Sequence, residues 1–417
     1  MSSHIQLRRK TYYARLNIPQ DLRSIWGKAE LIQSLKTSDR KVADVRAMTV
    51  IGHWKQQFSE LRSGEHGLDK HALSLRTDED THAVNPHTGM SDKDYYIEHI
   101  ADELPDIKEE RFRQIINAKL TPFGLLLEDY LAQWDVEPKT KAMAHTAIRR
   151  VAEDLPNVEQ ATYQRIEELV RADTKSSGTK RKNYGFVAQY WSYLAKRNII
   201  QNRDNPFSGL KFKEKANQTA TRRKAFEIGQ IIELHRQALH ANDGDIANLI
   251  LIGSYTGARI EEICSLKVVN VKSTEGRVCI HITDSKTKAG VRVVPVHKDL
   301  VELLDNLITK SADEYIMSGL TADKYGNRSN AIGKRFGRLK TRTGLGREYV
   351  FHSIRKTVIT VFENLGVSEG LTADIVGHEK KTITYGLYSA GHSIRNKSDA
   401  IDKLSYDFTT PNAHKPK

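Results

Sequence analysis

The sequence predicts a multidomain chain: a small β-plus-helix amino-terminal module, then an all-α domain, then a mainly α (α+β) domain in the carboxy-terminal half. Three observations predict this. The first sixty residues alternate in β-prone stretches before turning helical, residues 121–205 keep a helical period throughout, and residues after 226 place helices on both sides of a hairpin pattern. A length of 417 residues accommodates two to four domains at roughly 150 residues each. Lys and Arg number 65 against 52 Asp and Glu, and a net charge of +13 points to a polyanionic partner, nucleic acid first.

Within residues 1–63, RRKTYYARLNI (8–18) alternates as a strand that Pro19 ends, and ELIQSLKT (30–37) reads as a second strand. Ser38 can cap the helix that follows, whose apolar stripe is Val45, Met48, Ile51, Trp54, Phe58 and Leu61. This module carries eleven Lys/Arg against five Asp/Glu up to residue 60, so the basic excess is clustered. Arg8, Arg9, Lys10 and Arg15, around Tyr12 and Tyr13, are candidate DNA contacts, the ordinary alternative being a solubilising charged strand.

Residues 64–120 are rich in Gly, His, Asn and acids and read as a linker or connector with a short acidic helix. Four helices follow within 121–210, at FGLLLEDYLAQW, TKAMAHTAIRRVAEDL, TYQRIEELVRA and NYGFVAQYWSYLAKRNII. Residues 174–200 hold six Lys/Arg and no acid, making Arg181 and Lys182 candidate phosphate contacts, while Trp191 reads as core. Residues 211–225 form a basic linker in which Arg222, Arg223 and Lys224 are further candidates for the DNA backbone. The last domain spans 226–400, with helices near 227–241 and 245–256 and a hairpin of RVCIHIT (277–283) and VRVVPV (291–296); 401–417 is a tail.

Several classes are excluded. There is no phosphate-binding P-loop, zinc-hydrolase or dinucleotide motif, and Cys264 and Cys279 match neither a metal spacing nor a disulfide framework. The expectation is an enzyme without metal or cofactor. No run of about eighteen apolar residues occurs and the first residues lack a signal-peptide core, so a cytoplasmic chain with no membrane contact is expected.

What remains is a set of cations, histidines and tyrosines: TGARIEEI with Arg259, DSKTKAG with Lys286 and Lys288, FHSIRKT with His352 and Arg355, VGHEKKT with His378, and YGLYS with Tyr385 and Tyr388. A metal-free attack on a phosphodiester needs fixed cations at the non-bridging oxygens, a proton for the leaving oxygen and a nucleophile. Guanidinium forks, a lysine on a turn, histidines and a tyrosine meet those needs. Taken singly each has an ordinary structural reading; their order and spacing together favour function.

That order resembles the tyrosine recombinase family, specifically phage-type integrases. The resemblance implies that Arg259 and Arg355 hold the scissile phosphate, that His352 and His378 assist proton transfer, and that Glu262 supports the site. Lys286 matches the hairpin lysine, with Lys288 as runner-up. Tyr388 matches the nucleophile, at a spacing from His378 one residue longer than the family's commonest, and Tyr385 is the alternative nucleophile. It further implies an arm-type DNA-binding module at 1–63, a helical core-binding (SAM-like) domain at 121–210 and a catalytic domain at 226–400. The partners implied are double-stranded DNA attachment sites, three further copies in a homotetrameric synapse, and DNA-bending or directionality factors, in a bacterial host at the nucleoid. The segment YDFTT (406–410) is expected to pack on a neighbouring protomer. Two other readings stay open, a type IB topoisomerase-like nicking-closing enzyme and a catalytically inactive DNA-binding relative.

Overall fold

The chain from Ile5 to Asn17 folds back on itself at Arg9–Lys10, giving strands β1 (Ile5–Arg8) and β2 (Thr11–Asn17), and side chains alternate inward and outward only from Ala14 to Asn17. The single strand expected at 8–18 thus contains a turn. Arg9 takes φ 55°, a left-handed conformation that favours glycine or asparagine, which is why composition gave no sign of it. Strand β3 (Glu30–Ser34) pairs antiparallel with β2, Leu16 opposite Leu31, in the order β1-β2-β3. Ala14, Leu16 and Leu31 are buried while Arg15 and Asn17 face out.

The computed structural model describes residues 4–23, 29–62, 67–77, 82–86, 89–99, 106–200, 204–212, 223–285, 287–379 and 391–408, divided between two compact units, Met1–Glu214 and Lys215–Lys417. In the first unit, helix α1 (Arg40–Arg62) is capped by Asp39, not Ser38: its carboxylate accepts the backbone N–H groups of Lys41 (2.7 Å) and Val42 (3.3 Å). The buried stripe is Ala43, Ala47, Val50, Trp54 and Phe58, whereas Met48 is 75% exposed. Small alanines occupy the face where the helix comes up against the sheet, so a stripe drawn through the largest apolar residues starts on the wrong side.

The expected connector is largely helical. Helices α2 (Gly67–Thr77), α3 (Asp92–His99) and α4 (Asp106–Ile116), with a two-residue pair of strands β4 (Val84–Asn85) and β5 (Met90–Ser91), follow α1. Leu68, Ala72, Leu73, Phe112, Ile115 and Ile116 are buried in the same apolar core as the sheet and the bundle. The polar composition hid this because the charges pair internally. Buried Asp69 accepts Arg111 at 2.7 and 2.9 Å, and Arg76 donates to the carbonyls of Ile115 (3.0 Å) and Ile199 (2.7 Å).

Four helices then form as the periodicity predicts: α5 (Leu127–Gln133), α6 (Pro138–Asp154), α7 (Tyr163–Ala172) and α8 (Ser177–Lys196). Thr162 and Ser176 cap the last two, and Pro138 opens the second. Trp191 is core, its indole N–H donating to the Asp204 carbonyl at 3.1 Å.

In the second unit, helices α9 (Ile228–His240), α10 (Gly244–Thr256) and the short α11 (Ile260–Cys264) precede an antiparallel sheet of β6 (Val271–Thr274), β7 (Arg277–Ile282) and β8 (Arg292–Pro295). The expected hairpin is β7–β8, with β6 added at its edge. Helices α12 (Lys298–Lys310), α13 (Ser329–Arg342), α14 (His352–Asn364), α15 (Glu369–Val376) and α16 (Ile394–Ile401) complete it around a second apolar core. Tyr406 and Phe408, expected on a neighbouring protomer, pack in their own chain: Tyr406 lies edge-on to Tyr255 (5.2 Å) and Phe408 against His235 (4.9 Å). A contact within the chain needs no association entropy, so in a single protomer it forms first.

All four tryptophans belong to the first unit, so their fluorescence reports its unfolding alone. Ala47→Leu should destabilise it by about 1–3 kcal/mol through overpacking, and Met48→Lys should stay within about 0.5 kcal/mol. Equal effects in a denaturant titration would contradict the face assigned to α1.

Candidate active site

The motif TGAR-x-x-E is a helix end followed at once by a helix start. Gly257 closes α10 in the left-handed conformation (φ 60°), and Arg259, extended, is the N-cap of α11. Glu262, three residues on, accepts the Arg259 backbone N–H at 2.9 Å, and its other oxygen accepts the guanidinium at 2.5 Å. One carboxylate therefore fixes both the backbone and the side chain of Arg259.

Arg355 lies one turn after His352, the first residue of α14, and is 1% exposed. It donates to the carbonyls of Gly257 (2.8 Å) and Gly377 (3.3 Å), and its buried Nε has no hydrogen-bond partner among the described residues. Arg259 donates to the same Gly377 carbonyl at 3.2 Å. Gly377 ends α15 at φ 76°, so the two arginines converge on the residue preceding His378.

Sequence reasoning missed two members. Arg292, on β8, donates to Glu262 (3.0 Å) and to the carbonyls of Gly290 and Ile375 (both 2.7 Å), and Ser285 donates to Glu262 at 3.0 Å. The available signal was an arginine at a core-facing strand position, alternating with Val294 and Val296.

Three guanidiniums around one carboxylate leave an excess of positive charge. Burial alone would raise the Glu262 carboxyl, but the hydrogen bond and charge of Arg292, with donors from Arg259, hold it at about 2. Arg355 is lowered to about 9 by burial and then by the charges of Arg259 and Arg292. His378 is lowered to about 4, and His352 is lowered too, in both by burial first and then by Arg355 and Arg259. At neutral pH both imidazoles are uncharged, and the arginines carry the positive field.

Lys286, Tyr385, Tyr388 and Arg222 lie outside the described residues; Lys288 begins a 3-10 turn, Lys288–Gly290. Among the DNA-contact candidates, Arg8 is exposed with its guanidinium 5.4 Å from the Tyr13 ring, Arg9 and Lys10 form the exposed hairpin turn, and Arg15 is paired with Glu30. Arg181 and Lys182 are exposed in the first turns of α8. Arg223 and Lys224 are pinned rather than free, Arg223 to the Arg347 carbonyl and Lys224 to Glu348 through its backbone N–H (3.1 Å). The sequence reading also passed over α13, whose exposed Lys334, Arg338 and Arg342 are spaced four apart along an acid-free helix.

Two outcomes follow from these contacts. Glu262→Ala leaves buried Arg292 without its carboxylate and should cost about 3–5 kcal/mol, read as a lowered midpoint in the helical circular dichroism transition that tryptophan fluorescence does not follow. A histidine held below its unfolded pKa of about 6.5 binds fewer protons folded than unfolded, so its contribution to stability declines as pH falls from about 6.5 toward 4. The His378 ring should accordingly titrate well below 6.5 by NMR, and His378→Gln should flatten that acid limb; a normal titration would contradict the assigned field.

Residues 4–63 match a domain of unknown function, and residues 223–393 match the phage integrase family. No curated protein matches the chain. Among solved structures, a lambda integrase dimer bound to a COC′ core site is similar at a TM-score of 0.52 and 16% identity, covering 92% of this chain and 95% of that one. A lambda integrase tetramer bound to a Holliday junction gives 0.50 and 18%, covering 92% and 97%. The Tn1549 transposon integrase in complex with transposon right end DNA gives 0.51 and 18%, covering 67% and 98%. These likenesses carry the fold, and together with the family match and the converging arginines they lead to one assignment: over residues 223–393 the chain is a domain of the phage integrase family, the tyrosine recombinases.

Proposed function

We propose that the chain is a site-specific DNA recombinase, an integrase that cuts and rejoins DNA at attachment sites through a 3′-phosphotyrosine intermediate. The observation that carries this reading is the convergence of Arg259 and Arg355 on the Gly377 carbonyl beside His378, at a site of excess positive charge. In this reading those guanidiniums grip the non-bridging oxygens of one phosphodiester, and Glu262 keeps Arg259 in place.

In this reading the Tyr388 hydroxyl gives its proton to one of the neutral imidazoles, His352 or His378, as its oxygen attacks phosphorus. The bond from phosphorus to the 5′ oxygen breaks, and that oxygen keeps the electron pair and takes a proton from Lys286. A free 5′-hydroxyl of the exchanged strand reverses the step. The ester conserves the bond energy, so no ATP is needed. His352 and His378, neutral before DNA arrives, contact the phosphate and move protons. Lambda integrase is seen as a tetramer on a Holliday junction, and we assign this chain the same homotetrameric way of working, in the cytoplasm of a bacterial host at the nucleoid. DNA-bending and directionality factors are the further partners of such a system. Residues 1–63 serve as the arm-type module, 121–210 as the core-binding domain and 226–400 as the catalytic domain, with Arg9, Lys10, Arg181 and Lys182 among the phosphate contacts. The likeness to lambda integrase over 92% of the chain favours an integrase over a type IB topoisomerase.

The test is a nicked duplex carrying the attachment core from the element's own junctions, incubated with wild type, Tyr388→Phe and Tyr385→Phe and resolved on a denaturing gel. A covalent adduct that survives Tyr385→Phe and disappears with Tyr388→Phe is expected, and Arg259→Ala or Arg355→Ala should slow its formation by about 10²–10³. The opposite tyrosine dependence would move the nucleophile to Tyr385. Site binding without any adduct would favour the inactive DNA-binding relative, and relaxation of plasmids lacking attachment sites would favour the topoisomerase.

A further inference from the structure

We infer that Arg292 is a positioning residue that locks the lysine-bearing turn between β7 and β8 to the phosphate-binding arginines, an inference that rests on the recombinase reading. The turn is held at both ends by one ion pair. At its start, Ser285 donates to Glu262 at 3.0 Å; at its end, the Gly290 carbonyl accepts Arg292 at 2.7 Å; and Arg292 itself donates to Glu262 at 3.0 Å. Within the turn, the Gly290 N–H closes on the Thr287 carbonyl at 2.9 Å, and a side chain at Gly290 would collide with Ser285.

The third donor edge of Arg292 reaches the Ile375 carbonyl at 2.7 Å, in the last turn of the helix that Gly377 ends. Gly377 fits against it with no room to spare: a Cβ there would lie 2.7 Å from Arg292 Nη1 and 3.0 Å from the Ala289 carbonyl oxygen. Arg292 therefore touches each structural piece that must act together, namely the Glu262–Arg259 pair, the turn and the Gly377–His378 corner. Only a planar fork with donors on several edges can do this, and a lysine's single ammonium cannot. Its side chain is 4% exposed, in a site already cationic, at a strand position where a valine would pack without charge repulsion. Such an electrostatically unfavourable placement is accounted for by the geometry it imposes.

Arg292 touches no substrate in this reading; it acts through the turn, so its loss should appear as failed protonation of the leaving oxygen. Replacing the scissile 5′ oxygen by sulfur removes the need for that proton, since a thiol ionises near pH 8.5. Wild type, Arg292→Lys and Arg292→Met would be compared on nicked attachment-core duplexes carrying either atom, with circular dichroism melts and DNA binding measured alongside. Both variants should fold, bind the core, cleave the oxygen substrate at least ~100-fold more slowly than wild type and recover to within ~10-fold of it on sulfur. Equal slowing on both substrates, no slowing on oxygen, or failure of both variants to fold would each overturn the inference. If wild type itself formed no adduct, the recombinase reading would fall and this inference with it, whereas a cleaving wild type with unrescued variants removes the inference alone.

Discussion

Glu262 brings one buried negative charge into contact with two guanidiniums, and the other groups of the site take their places from that contact. Its first oxygen meets the Arg259 guanidinium and the Ser285 hydroxyl, its second the Arg259 backbone N–H and Arg292. A carboxylate with four donors stays ionised in surroundings that would otherwise protonate it. The arginines then remain extended toward a common point instead of separating by mutual repulsion. Arg355 has no acidic partner among the described residues and is held by the carbonyls of Gly257 and Gly377, both at helix ends in the left-handed conformation. The site is thus a set of helix termini and one sheet edge tied through backbone oxygens, with positive charge left over for a phosphate.

In the first unit the governing constraint is a continuous apolar core. Sheet, α1, the helices between residues 67 and 116 and the four-helix bundle all contribute to it. Its charged residues are arranged around that core: Asp69 and Arg111 neutralise each other, and Arg76 ties two carbonyls distant in sequence. The basic excess of the amino-terminal residues is accordingly not all available to a polyanion. Arg15 is paired with Glu30, while Arg9 and Lys10 stand at an exposed turn whose backbone is strained at Arg9, a conformation costing about 1–2 kcal/mol for a residue with a Cβ.

Much of the candidate site was legible because its motifs are local. TGAR-x-x-E works within seven residues as a helix stop and a helix cap, and H-x-x-R works within one helical turn, so spacing along the chain is spacing in space. Helix periodicity located α5 to α10 for the same reason. The misreadings have physical causes. Asp39 rather than Ser38 caps α1 because a carboxylate reaches two N–H groups; alanines rather than Met48 face the sheet because the helix packs against it there. The polar stretch 64–120 was read as a connector because its pairs, such as Asp69 with Arg111, lie more than forty residues apart.

By itself, the sequence determined the order of the elements, the basic character of the chain and the identity of the two phosphate-binding arginine candidates, all of which depend on composition, period or short spacing. Only the tertiary structure decided that Arg259 and Arg355 share one carbonyl, that Arg292 joins them through Glu262, and that Tyr406 and Phe408 pack in their own chain. Those contacts join residues from 22 to more than 150 positions apart, and which distant groups meet is set by how the helices and the sheet pack, not by any local preference of the chain.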